Sequence, residues 1–106
     1  MIYVGIDVAK DKHDCCILGS EADKLYPVFT IPNNKTGFDE LYEKIFSVTD
    51  DKTEIKVGLE ATGHYSLNLL GSLIDKGLPT CVINIIAIEL ASTLSVFVFL
   101  RLRPFL

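Results

Sequence analysis

The chain has 106 residues, with 10 Lys and Arg against 14 Asp and Glu, giving a formal net charge of −4. At 49% hydrophobic and 23% charged residues it is not a disordered chain, and its length suits one domain with a real core. The acidic balance excludes a protein that grips nucleic acid by bulk positive charge alone. It leaves room for a metal-dependent nuclease-type site, because such sites are themselves acidic. Cys15, Cys16 and Cys81 form neither a disulfide framework nor a Cys/His zinc spacing, which points to a reducing, cytoplasmic setting. The N-terminus enters a strand pattern directly, so no signal peptide is expected.

Residues 2–8 form a short apolar run rich in β-branched side chains, predicted as a buried strand. A polar turn at 9–12 leads to a second strand at 13–18, and the two form a hairpin. Cys15 and Cys16 point to opposite faces of that strand, so one is expected in the core and the other exposed. A turn at 19–23 precedes a third strand at 24–31, with Leu25, Pro27, Phe29 and Ile31 on one face. Pro27 cannot donate to a ladder and suits an edge or a bulge.

After a loop at 32–35, Thr36 is the expected N-cap of a helix, with Asp39 three residues on. Phe38, Leu41, Tyr42, Ile45 and Phe46 fall at i, i+3, i+4, i+7 and i+8, the stripe of an amphipathic helix. Asp50 and Asp51 end it. A fourth strand at 55–59 reaches Glu60. Thr62 is placed to cap a second helix running to Lys76, with Leu67, Leu69, Leu70, Leu73 and Ile74 as its apolar positions. Gly77 fits the position after the helix, Pro79 follows as a stop, and a fifth strand occupies 80–83. The order β-β-β-α-β-α-β, with right-handed parallel crossovers, gives an α/β mixed sheet of ribonuclease H-like layout.

The composition changes near Asn84. Residues 1–84 carry 8 Lys, no Arg and 13 acidic residues, whereas 15 of the 22 residues from 85 to 106 are apolar. The division expected is a domain at 1–84 and a hydrophobic C-terminal extension at 85–106. A membrane span within 82–100 is disfavoured by Glu89, since a carboxylate in mid-membrane costs about 2.5–3.5 kcal/mol on insertion scales.

Asp7 interrupts the first strand and Glu60 ends the fourth. If those strands are parallel neighbours, the two carboxylates meet at the carboxyl end of the sheet, where open α/β sheets place ligand sites. Such a pair suggests a hard divalent cation, Mg²⁺ or Mn²⁺. The competing account pairs Asp7 with a lysine such as Lys10 and leaves Glu60 at a helix N-terminus, stabilised by the macrodipole. His13 and His64 are isolated in sequence, and Lys10, Lys12 and Lys35 suit a solvated face.

Three stretches together resemble one family: Tyr3-Val-Gly-Ile-Asp-Val-Ala-Lys-Asp-Lys-His13, Ile31-Pro-Asn-Asn-Lys-Thr-Gly-Phe38 and Gly58-Leu-Glu-Ala-Thr-Gly-His-Tyr65. They look like the N-terminal domain of DEDD-type insertion-sequence transposases, the Piv-invertase-like or IS110 group. The resemblance implies a RuvC-like catalytic domain in which Asp7 and Glu60 match the first two acidic ligands. They would hold Mg²⁺ for DNA strand cleavage and exchange during transposition or inversion. It also implies an element-encoded guide RNA as a partner and a second domain bearing a serine nucleophile; a homo-oligomer is a separate possibility that the sequence leaves open.

The chain departs from that pattern after Asn84. The family continues with a basic stretch and a Lys-Thr-Lys-Thr-Asp-like motif carrying two further aspartates, and here no Asp follows Asp75. Codons for Leu100-Arg-Leu-Arg-Pro104 can be chosen so that, read two bases later, they encode Lys-Thr-Lys-Thr. The extension is therefore expected to be out-of-frame translation of a truncated transposase, inactive alone. Two other classes compete. An actin or sugar-kinase type nucleotide-binding module also opens on a Gly-Ile-Asp strand, but it needs a glycine-rich phosphate turn where this chain has Ala9-Lys-Asp-Lys12. A small membrane-attached protein would use the apolar extension.

Overall fold

The computed structural model describes residues 1–21, 23–61 and 64–84. The expected boundary between 84 and 85, the extension and the proposed cap Thr62 lie outside the described residues. The elements are β1 (Ile2–Val8), β2 (Lys12–Leu18), β3 (Lys24–Pro32), α1 (Lys35–Val48), β4 (Ile55–Ala61), α2 (Leu67–Asp75) and β5 (Thr80–Asn84). The order is the expected one, with one addition. A single 3₁₀ turn at Lys52–Glu54 precedes β4 because the Asp51 carboxylate accepts hydrogen bonds from the Thr53 N–H (3.0 Å) and hydroxyl (2.6 Å).

The sheet order is β3-β2-β1-β4-β5. The first three strands are antiparallel neighbours, and β4 runs parallel to β1 on one side and to β5 on the other. Alternation along the strands sorts their side chains. Val4, Ile6 and Val8 of β1, Cys15 and Ile17 of β2, Ile31 of β3, and Ile55, Val57 and Leu59 of β4 join one core with both helices. Both α1 and α2 therefore lie on the same face of the sheet. The α1 stripe behaves as its spacing dictates: Phe38, Leu41, Tyr42 and Ile45 are buried and Phe46 packs against them. Tyr42 and Ser72 join the two helices through a hydroxyl–hydroxyl hydrogen bond.

Four expectations need correction. The N-cap of α1 is Asn34 rather than Thr36, because the Asn34 Oδ1 accepts from the Gly37 N–H at 2.9 Å. The second helix begins at Leu67. Its core stripe is Leu69, Leu70 and Leu73, while Leu67 and Ile74 face outward at 63% and 62% exposure. On β3 the face shared with Phe29 and Ile31 is completed by Tyr26, and Leu25 is exposed. Cys15 pairs with Phe29 and Ile17 with Tyr26, so β3 carries one extra residue at Pro27–Val28, and that bulge flips the alternation beyond it. Pro27 thus sits both on the edge strand and in a bulge, where its missing N–H costs no ladder bond. Finally, Cys16 is as buried as Cys15; it packs with Leu18 and Tyr3 on the face opposite the helices.

Gly77 has φ +73°, the left-handed conformation expected of the residue that closes α2. Gly37 matters for another reason: a Cβ there would overlap the carbonyl oxygen of Pro32, so the first turn of α1 rests directly on the end of β3. Gly71 in α2 has nothing within 4 Å of that position. Alanine at these two sites should therefore act in opposite directions in urea denaturation. Gly71→Ala should stabilise by about 0.5–1 kcal/mol through helix propensity. Gly37→Ala should destabilise by about 1–3 kcal/mol through overpacking, despite the same propensity gain.

Candidate active site

The register of the two central pairings builds the site. Asp7 is directly opposite Glu60 across the parallel β1–β4 pair and directly opposite Asp14 across the antiparallel β1–β2 pair. Partners in register point to the same face, and strands are spaced about 4.8 Å apart. Three carboxylates thus form a row across β2, β1 and β4, on the face away from the helices and near the carboxyl ends of β1 and β4. One row further back lie Cys16, Gly5, Gly58 and Cys81, so the two central strands have no side chain directly behind Asp7 and Glu60.

The row is electrostatically loaded. Asp7 is half-buried and Glu60 is 7% exposed. Burial first, then the charges of Glu60 and Asp14, push the Asp7 carboxyl up to about 6. Asp14 is steadied by the Thr30 hydroxyl, which donates to its Oδ1 at 2.6 Å. Asp7 takes part in none of the ion pairs Met1–Glu54, Lys35–Asp39 and Lys44–Glu40. Nor does Glu60 sit in the first turn of a helix, since α2 starts seven residues later and the macrodipole falls off within a turn. Asp14 was missed from the sequence. Its signal was the hairpin register: once His13 opposes Val8, the next residue must share a face with Asp7.

The loops at this end of the sheet are tied by Asn33. Its N–H donates to the Asp11 carbonyl (2.9 Å), and its Nδ2 donates to the carbonyls of Lys10 (2.9 Å) and Tyr65 (3.4 Å). Beneath lies His13, fully buried and stacked on Phe38 with ring centroids 6.5 Å apart. The Ala9 N–H donates to His13 Nδ1 at 3.2 Å, which leaves the proton of the neutral ring on Nε2. That Nε2 and the Oδ1 of Asn33 are both buried, and the amide is near enough to act on the ring. Burial is the larger influence and holds the imidazole below its ordinary pKa. His13 is a neutral support beneath the turn. His64 and Tyr65 follow β4 as an exposed pair with ring centroids 4.7 Å apart. Lys10 and Lys12 are exposed, and Lys35 is engaged by Asp39 at 2.9 Å. The thiols of Cys15 and Cys16 are pushed up by burial, the latter to about 11, which makes both inert.

Two hard oxygen donors side by side, crowded and partly desolvated, suit a divalent cation. Mg²⁺ is commonly held by one or two protein carboxylates, with waters and substrate phosphates filling the remaining positions. Asp7 and Glu60 fit that description. Among the described residues no group of three or more His, Cys, Asp or Glu side chains is arranged to hold a metal ion.

Residues 4–96 match the DEDD_Tnp_IS110 family, described as transposase. No curated protein matches the sequence. Among solved structures, Pelota of Archaeoglobus fulgidus is 15% identical with a TM-score of 0.61, over 96% of this chain and 31% of that one. RuvC of Thermus thermophilus is 11% identical with a TM-score of 0.50, over 78% of this chain and 63% of RuvC. The chain thus spans about a third of Pelota and under two thirds of RuvC. At these identities the likeness concerns the fold, a RuvC-like, ribonuclease H-type mixed sheet.

The raised Asp7 pKa has a defined consequence for stability. The carboxyl ionises near 3.8 in the unfolded chain and near 6 in the folded one, so between those values the folded state binds more protons. Its contribution to stability is full below about pH 3.8 and is lost as pH rises through 6. With EDTA present, Asp7→Asn should therefore unfold at a higher temperature than the parent above pH 6, and the gain should vanish below about pH 4. A gain independent of pH would place the effect elsewhere.

Proposed function

We propose that this chain, which belongs to the DEDD_Tnp_IS110 transposase family, is a transposase N-terminal domain that presents half of a divalent-metal site to DNA. The observation that carries the reading is the register of Asp7 against Glu60 on the face away from the helices. A bound Mg²⁺ or Mn²⁺ would act as a Lewis acid on a phosphodiester oxygen. The chain's own work is positional. Parallel β1 and β4 hold the two carboxylates at one end of the sheet, Asp14 adds negative charge that favours a cation, and Asn33 fixes the loops around them.

The sequence offers no Asp beyond Asp75, and Glu89 is the one acidic residue after it. Strand cleavage and exchange therefore require ligands and a nucleophile from outside these 106 residues, as in a truncated or frame-disrupted transposase. DNA is the substrate class, an element-encoded guide RNA and further copies of the chain are the partners, and the compartment is cytoplasmic. Among the described residues no helix is long and apolar enough to cross a membrane.

Calorimetry and a nicking assay test this reading together. Mn²⁺ should bind weakly to the isolated chain, and Asp7→Asn or Glu60→Gln should each abolish the binding heat. Duplex or branched DNA incubated with the chain and Mg²⁺ or Mn²⁺ should remain uncut. Robust cleavage that disappears in Asp7→Asn would mean that two carboxylates suffice and that the site is complete as it stands.

A further inference from the structure

We infer that His64 and Tyr65 form a stacking ledge for an unpaired nucleobase beside the carboxylate pair, a subsite that rests on the transposase reading and extends it. Three observations carry this. The two rings are exposed, Tyr65 at 37%, and lie 4.7 Å apart at a 40° tilt, so they offer one broken aromatic surface to solvent. Neither ring belongs to the hydrophobic core on either face of the sheet. The ledge is also anchored at the backbone: Asn33 Nδ2 donates to the Tyr65 carbonyl and to the Lys10 carbonyl, which binds this turn to the β1–β2 turn.

The anchor fixes where the ledge lies. Lys10 is three residues beyond Asp7, at most about 10 Å of extended chain. Tyr65 is five residues beyond Glu60, and its carbonyl shares a donor with that of Lys10. The rings therefore stand at the same end of the sheet as the carboxylates.

The chemistry of the end explains why stacking is the grip that works here. Asp7, Asp14 and Glu60 repel phosphate, and the chain is net negative, so Coulomb attraction contributes little. Base–aromatic stacking needs no positive charge, tolerates any base and is worth about 1–3 kcal/mol per base on alanine substitution. Exposed Lys10 beside the ledge supplies one phosphate contact at most. A single strand with its bases splayed can reach the rings, whereas stacked duplex bases cannot.

The test uses the full chain in EDTA, so that metal binding plays no part. The probe is a fluorescein-labelled ten-residue oligothymidylate, compared with an abasic strand of equal length by anisotropy. The base-bearing strand should bind at least about 5-fold more tightly than the abasic one, with a shallow dependence on salt. Tyr65→Ala should remove that difference and Tyr65→Phe should keep it, which separates a lost ring from a lost fold. His64 and Tyr65 ring protons should shift upfield in NMR spectra of the parent on adding the strand. Equal affinity for the two strands, no binding at all, or unshifted ring protons would each overturn the ledge. Loss of Mn²⁺ binding heat with the ledge intact would instead count against the metal site alone.

Discussion

The register of β1 against β4 is the constraint on which everything else hangs. A one-residue slip in that parallel pair would move Asp7 or Glu60 to the other face and into the apolar layer beneath the helices. The register is held by the core side chains themselves: Val4, Ile6 and Val8 alternate with Asp7 on β1, and Ile55, Val57 and Leu59 alternate with Glu60 on β4. Burying the apolar set against α1 and α2 therefore forces two carboxylates together on the opposite face. Hydrophobic burial, about 25 cal/mol per Å² of apolar surface, drives this, and the repulsion is the local cost. Such a conflict between levels is what a functional site looks like in an otherwise consistent fold.

Around that pair, the antiparallel half of the sheet works as a brace. The β1–β2 hairpin brings Asp14 alongside Asp7, and β3 returns the chain so that Asn33 can stitch the turn at 9–11 to Tyr65. His13 supports the same turn from below by accepting the Ala9 N–H. The bulge at Pro27–Val28 protects the outer edge of β3, since a proline and an irregular ladder make a poor template for another strand. Each device is local, yet together they place loops of three separate elements at one end of the sheet.

Much of the fold was legible because periodicity is a local signal. Short apolar runs between polar turns gave five strands, and the Phe38–Phe46 spacing gave α1. What escaped was decided at a distance or among near-equal neighbours. Asn34 and Thr36 are both competent caps, and only the position of β3 selects the first. The bulge reversed the faces of Leu25 and Tyr26, which no alternation rule anticipates. Leu67 and Ile74 look like core in a helical wheel but flank the stripe that faces the sheet. One of Cys15 and Cys16 is expected at the surface from strand alternation, yet both are buried, because both faces of β2 are covered there. In the site, Asp7 and Glu60 stood out because a charge in an apolar strand is costly. Asp14 and Asn33 did not, since their roles depend on pairings between segments up to 32 residues apart. The three-motif resemblance supplied the family.

The central claim is that Asp7 and Glu60 share one divalent cation. Uniformly ¹³C-labelled full chain, titrated with substoichiometric Mn²⁺, gives the most direct test, because paramagnetic relaxation falls off steeply with distance from the ion. The account predicts that the side-chain carboxyl carbons of Asp7 and Glu60 broaden first and together, ahead of Asp39, Glu40 and Glu43 on α1, and that Mg²⁺ reverses the broadening. Broadening of one without the other, or no preference over the α1 acids, would contradict it.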